Sequence, residues 1–411
     1  MRSFLAVVAV SASATAFVVP ARRHALTRRA AHDDGDTITQ LIDAKESELS
    51  GVDAVTTTKT TTTMPNYVDQ ANYFDGDRPA PAWELAQTNF LKQGATILGQ
   101  IGEAVGLQKR DPGAVPASLG LVLSNEAVTE AERKREASGG RVDAHPVSRK
   151  LYDVGCLFLD TLFDERPIQR FWFLEVIARI PYFSYVSMLH LYESFGWWRG
   201  PELRKVHNAE EWNELHHLLI MEALGGNSLW SDRFLGYHVA IGSHLCRRGR
   251  RVDGVRGHSL LSLYSHTGYY WILNVVFFFS PRIAYQFMEL LEAHAVDTYG
   301  TFVVQNRERL AELPAPAVAT SYYSSGDLYL FDDFQVSTPP ETRRPDCETL
   351  LDVFTNIAID EGEHVKTMQA CQDYARIGAR VVSPHMDGAH AAESREKWVR
   401  WAAEVNEAAK H

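Results

Sequence analysis

Two short segments of the chain repeat one arrangement. Glu214-Leu215-His216-His217 and Glu361-Gly362-Glu363-His364 each set a glutamate and a histidine three residues apart within a helical, largely apolar stretch. Positions i and i+3 lie on one face of an α-helix, so each segment presents a carboxylate and an imidazole to a common point. Chance supplies such a spacing about once in a chain of this composition, so context must carry the weight. Trp212, Leu215, Leu218, Leu219 and Met221 surround the first pair, and Phe354, Ile357 and Met368 the second. A carboxylate without a partner on a buried face is costly or takes up a proton, and a metal ion is the economical partner. The bland alternative for each motif alone is a solvated glutamate beside a packed histidine.

Two lone glutamates complete a set. Glu175 interrupts the apolar run Phe171-Trp172-Phe173-Leu174-Glu175-Val176-Ile177, and Glu292 lies on a stretch where Met288, Leu291, Ala295, Thr298, Tyr299 and Phe302 keep helical spacing. The order Glu, Glu-x-x-His, Glu, Glu-x-x-His is the inward-facing set of a ferritin-like di-iron four-helix bundle. Four carboxylates and two neutral imidazoles suit two iron ions with open positions for oxygen. Tyr299 follows Glu292 by seven residues, two turns along the same face, where its phenol could reach the metals or could simply be packed.

The rest of the chain fits an all-α class, since no segment shows sustained strand alternation. Helical patterns run over 82–107, 126–141 (ending at Gly139-Gly140), 148–164, 170–195, 206–224, 230–240 resuming at 267–279, 282–308 and 347–376. The expected organisation is a signal peptide over 1–16, a transit peptide and linker over 17–63, an N-terminal extension over 64–146, a compact domain over 147–376 and a tail over 377–411. The apolar run Phe4 to Val10, the small residues Ala14-Thr15-Ala16, and then Phe17 with Arg22, Arg23, Arg28 and Arg29 read as a two-part plastid address. The alternative is an ordinary secreted protein, against which four scattered cysteines speak mildly. A net charge of -11 and the lack of a basic stripe argue against nucleic-acid binding.

The aromatic runs Phe171 to Trp198 and Thr267 to Ser280 leave two readings open. The first carries Glu175, Arg179, His190 and Glu193, and the second is too short to cross a bilayer of about 30 Å. Either they lie in one leaflet as membrane-associated helices, giving a monotopic protein, or they are bundle core.

From about Tyr152 to Gln372 the chain resembles the plastid terminal oxidases, the plastoquinol-oxidising branch of the alternative oxidases. The resemblance is carried by Leu174-Glu175-Val176-Ile177-Ala178-Arg179-Ile180-Pro181-Tyr182-Phe183, by His190 to Trp198, by Trp212-Asn213-Glu214-Leu215-His216-His217, and by Ser280 to Tyr285, Gly326 to Asp332 and Thr342 to Pro345. It implies iron ligands at Glu175, Glu214, His217, Glu292, Glu361 and His364, the same six that spacing nominates. It also implies an oxygen-reducing role for Tyr299, support of the ligands by Asn213 and Asp360, and quinol contacts at Asp160, Arg170, Leu174 and Thr298. The implied activity is oxidation of plastoquinol by O2, giving water without proton pumping, at the thylakoid membrane of a plastid. Oligomeric state stays open, a homodimer included. A mitochondrial-type ubiquinol oxidase is the near rival, and a ferritin-like iron-binding bundle the rival from another class. Residues 241–266 depart from the pattern by interrupting the fourth bundle helix with glycines and arginines. They read as a looped-out extension or, preferably, as translated intron.

Overall fold

The computed structural model describes residues 67, 80–107, 119–241, 268–325, 328–335, 343 and 345–377. The expected signal peptide, transit peptide, most of the 241–266 interruption and the tail lie outside the described residues. The regular elements described are helices: α1 (Ala82–Ala104), α2 (Asn125–Arg135), α3 (Pro146–Leu162), α4 (Pro167–Ser194), α5 (Pro201–Ala223), α6 (Trp230–Ile241), α7 (Tyr269–Phe279), α8 (Pro281–Glu312), α9 (Ala317–Ser325), α10 (Leu328–Phe334) and α11 (Leu350–Ile377). The chain is thus all-α, and a π-turn over Glu136–Gly140 ends α2, with Gly139 at φ 103°.

Local chemistry explains where these helices begin. Helices α3, α4, α5 and α8 open on Pro146, Pro167, Pro201 and Pro281, where proline's fixed φ suits the first turn and its missing N–H is not needed. Ser280 also caps α8 by accepting from the Ile283 amide. Ahead of α11, Thr349 and Asp352 cap one another: the Asp352 amide donates to Thr349 Oγ1, and Asp352 Oδ2 accepts from the Thr349 amide at 2.9 Å. Helix α5 ends on Gly225, at φ 79°, and Gly226, where a Cβ would come within 2.6 Å of Trp172 Cβ and 2.9 Å of the Ile168 carbonyl on α4. The short helices α9 and α10 escape the periodicity reading, being too brief to show a repeat.

Four long helices carry the expected ligands and form the bundle. Helix α8 packs along α11 and α4 along α5. An isolated bridge between Pro314 and Thr349 ties the end of α8 to the start of α11, with the Leu350 amide donating to the Leu313 carbonyl at 2.8 Å. Phe171, Phe302 and Phe354 fill the core beside Tyr299, and Phe171 stacks flat on the Tyr299 ring at 4.2 Å. Each such ring, fully buried, contributes about 1.5–3 kcal/mol.

Helix α6 ends at Ile241 and α7 begins at Tyr269, with residues 242–267 outside the described residues. These helices pack against α4, so the four ligand-bearing helices run without interruption. The expected interruption of a bundle helix is corrected to this extent: the stretch falls between two helices that carry none of the six expected ligands. The aromatic runs divide between core and surface. Phe171, Trp172, Phe173, Tyr182 and Tyr185 are core, whereas Phe183, Phe195, Trp197, Trp271 and Phe279 are exposed, Phe279 to 80%. Among the described residues, no helix is long and apolar enough to cross a membrane.

Candidate metal centre

Glu175 stands on α4, Glu214 and His217 on α5, Glu292 on α8, and Glu361 and His364 on α11. All six are buried. They gather as two overlapping sets, Glu175, Glu214, His217 and Glu361 in one and Glu214, Glu292, Glu361 and His364 in the other. Within each set one ligand atom from every residue lies within 4.8 Å of the rest. Glu214 and Glu361, one from each Glu-x-x-His motif, belong to both sets and so occupy the shared, bridging place. His217 Nδ1 faces Glu361 Oε1 at 3.2 Å and Glu175 Oε2 at 3.9 Å. His364 Nδ1 faces Glu214 Oε1 at 2.9 Å, Glu361 Oε2 at 3.4 Å and Glu292 Oε1 at 3.7 Å.

The donor atoms fit two cations. Glu175 Oε2, both oxygens of Glu214, Glu292 Oε2, Glu361 Oε2, His217 Nδ1 and both ring nitrogens of His364 are buried without a hydrogen bond. Polar atoms left this way cost free energy unless something else satisfies them. Burial, and then repulsion from Glu214 and Glu361, pushes the Glu175 and Glu292 carboxyls well above their ordinary range. Burial by itself would lower His217, but the Asp360 and Glu361 carboxylates outweigh it and raise the imidazole to about 9. Two divalent cations would replace the protons these groups compete for and balance four carboxylates.

The two histidines are held differently. His217 Nε2–H donates to Asp360 Oδ2 at 3.2 Å, which turns Nδ1 toward the carboxylates. Asp360 Oδ2 also accepts from Asn213 at 3.2 Å and from the Tyr323 hydroxyl at 2.8 Å, while Oδ1 accepts from Arg343. Burial would raise Asp360, yet Arg343 and His217 hold it below the usual carboxylate range. Asn213 and Asp360 thus meet beside His217. His364 instead has the rings of Tyr182 and Phe334 edge-on at 5.6 and 5.5 Å.

Both lone glutamates accept a hydrogen bond from a tyrosine. The Tyr299 hydroxyl donates to Glu175 Oε1, and the Tyr182 hydroxyl to Glu292 Oε1 at 2.6 Å. Burial and these carboxylates keep both phenols protonated, well above their ordinary pKa. Sequence reasoning named Tyr299 and missed Tyr182. The signal was present, since Tyr182 follows Glu175 by the same seven residues that separate Tyr299 from Glu292.

Of the four expected quinol contacts, Asp160 and Arg170 bond one another, and Arg170 and Thr298 both bond His294. Arg170, 1% exposed, donates from Nη1 to Asp160 Oδ1 at 2.9 Å and to Asn125 Oδ1 at 2.7 Å, and from Nη2 to His294 Nε2 at 3.4 Å. Thr298 Oγ1 donates to the His294 carbonyl at 2.6 Å, and Leu174 is buried next to Glu175. The Asp160 side chain, 40% exposed, opens this group to the surface. His294 went unnoticed because its partners lie on other helices. Burial and the charges of Arg170 and Arg135 hold its imidazole neutral, with a pKa of about 3, and its Nδ1–H reaches the Tyr152 hydroxyl at 3.2 Å.

Comparison with known proteins follows the same residues. The family model described as Alternative oxidase matches residues 127–244 and 258–373, more than half of the chain, and all six clustered residues fall inside the match. The chain belongs to the alternative oxidase family. Alternative oxidases are di-iron carboxylate enzymes, and the clustered acids and imidazoles of this chain could hold such ions. The match is interrupted between residues 244 and 258, within the stretch that departs from the pattern by sequence. The chain is also 49% identical over 227 residues to Ubiquinol oxidase 4, chloroplastic/chromoplastic, of Arabidopsis thaliana. That alignment covers 55% of this chain and 56% of the relative, so the chain spans about half the length of the curated relative it matches.

Proposed function

We propose that this alternative oxidase is a plastid plastoquinol:oxygen oxidoreductase that reduces O2 to water without moving charge across the membrane. One observation carries the reading: two buried ligand sets share Glu214 and Glu361, the arrangement that holds two metal ions side by side. Glu175, Glu214, His217, Glu292, Glu361 and His364 would hold two iron ions, which when bound supply the electron transfer from quinol to oxygen. Asp360 orients His217, and Asn213 helps to hold Asp360. Tyr299, bonded to Glu175, would give its phenolic proton to that carboxylate and one electron to O2 undergoing reduction, and would be restored by an electron and a proton from quinol. Phe171 stacked on the Tyr299 ring keeps water from that face.

Quinol is proposed to bind at Asp160, Arg170, Leu174 and Thr298, where Arg170 is held by hydrogen bonds and Leu174 and Thr298 are the chain neighbours of Glu175 and Tyr299. The exposed apolar side chains support membrane association in a single leaflet. They include Phe90 and Leu98 on α1, Phe183 and Phe195 at the far part of α4, Phe234 and Tyr237 on α6, and Trp271, Val275 and Phe279 on α7, and these helices touch one another in succession. The plastid relative supports the organelle, and the Gly326 to Phe331 stretch, which resembles the segment that distinguishes plastid from mitochondrial members of the family, supports plastoquinol over ubiquinol.

The full chain, purified with iron, is expected to contain two irons and to consume oxygen faster with a plastoquinol analogue than with a ubiquinol analogue. A preference for ubiquinol would move the reading to the mitochondrial-type oxidase. Iron uptake without quinol-dependent oxygen consumption would leave only an iron-binding bundle. Reconstituted in sealed vesicles, turnover should leave no pH gradient.

A further inference from the structure

We propose that Tyr182 is the positioning residue of the second metal position, the one formed by Glu292 and His364 with the shared glutamates. This rests on the di-iron reading above and goes beyond it by assigning a separate holder to each metal. Helices α4 and α8 run antiparallel through the site, since Tyr182, two turns beyond Glu175, meets Glu292, while Tyr299, two turns beyond Glu292, meets Glu175. In each pair the phenol takes Oε1 and Oε2 is left without a hydrogen bond. The pairing is reciprocal, but the two positions do not depend on it equally.

The first position has two independent holders, Tyr299 on Glu175 and Asp360 on His217. At the second, His364 Nε2 has no hydrogen bond. Its two unshared residues, Glu292 and His364, have Tyr182 in common: the Tyr182 hydroxyl bonds Glu292 at 2.6 Å, and the Tyr182 ring packs edge-on against His364 at 5.6 Å, while Phe334 adds a ring contact to His364 alone. Tyr182 is itself fully buried and fixed from behind. His207 packs against its ring at 6.2 Å and is held by Glu210 at 2.8 Å and by the Tyr285 hydroxyl at 3.1 Å. Removing a residue that orients a metal ligand costs about 10–100-fold in affinity. Because Tyr182 supplies the hydrogen bond that orients Glu292, Tyr182→Phe should show that loss at the second position alone.

The test is titration of the metal-stripped full chain with Mn2+, read by electron paramagnetic resonance. The wild type should bind two equivalents with the spin–spin coupling of neighbouring ions. Tyr182→Phe should keep one equivalent at unchanged affinity, giving an isolated-ion spectrum, and weaken the other about 10–100-fold. Adding Asp360→Asn should then weaken the remaining equivalent as well. Should Tyr182→Phe fail to fold, His207→Leu, which removes the ring packed behind Tyr182, should weaken the same single equivalent. Two unchanged equivalents in Tyr182→Phe, or equal weakening of both in either variant, overturns the inference while leaving the di-iron reading intact. A wild type that binds fewer than two ions overturns both.

Discussion

Around His217 the bundle is polar, and around His364 it is aromatic, although the two imidazoles come from the same motif and share Glu214 and Glu361. Asp360 collects hydrogen bonds from His217, Asn213, Tyr323 and Arg343, a directional network in which each member limits the others. His364 is confined by the rings of Tyr182 and Phe334, which restrict its volume more than its angle. A metal position over-determined by charge-assisted hydrogen bonds should be stiff, whereas one confined by rings can let its carboxylates shift. The comparison therefore suggests a division of labour within one site: the Glu175–His217 side anchors, and the Glu292–His364 side adapts.

The largest expected effect breaks the polar side. Asp360→Ala leaves Arg343 charged and buried without its carboxylate, and a broken buried pair costs about 3–5 kcal/mol. Chemical unfolding of the metal-stripped protein should show that loss, and a near-wild-type midpoint would mean that the network does not hold this side. Next comes metal itself. Each position should add about 2.7 kcal/mol of stability at a free metal concentration a hundredfold above its Kd. Chelation should remove two such increments from the wild type and only one from Tyr182→Phe at metal levels that fill the firm position alone. Asn213→Ala should cost about 1–2 kcal/mol, because Asp360 and the Tyr322 hydroxyl each lose a donor, and the same unfolding curves measure it. Smallest is Phe334→Leu, at about 1 kcal/mol in the metal-stripped protein. If its unfolding loss matched that of Asp360→Ala, the contrast between the two sides would collapse.

Much of this architecture is legible in the residues. The starting prolines of α3, α4, α5 and α8 mark helix ends by a local rule, and the Glu-x-x-His spacing puts two donors on one face whatever surrounds them. The lone acids stand out because an apolar run makes a carboxylate conspicuous. The membrane question could not be decided that way, since Phe171 and Phe183 look alike in sequence and one is core while the other is exposed. Tyr182 was hidden for a related reason: it lies in a run with Tyr185, and spacing alone does not say which phenol finds a carboxylate. Tyr185 donates instead to the Ala284 carbonyl at 2.9 Å.

What the sequence alone determined was the class of fold, the six clustered donors and the helices that bear them, because those follow from periodicity along one helix at a time. Only the tertiary structure decided which glutamates are shared, which tyrosine serves which glutamate and that the two histidines are held by unlike surroundings. Those are relations between distant parts of the chain, created by the antiparallel packing of α4 with α8 and by the contact of Arg343 with Asp360.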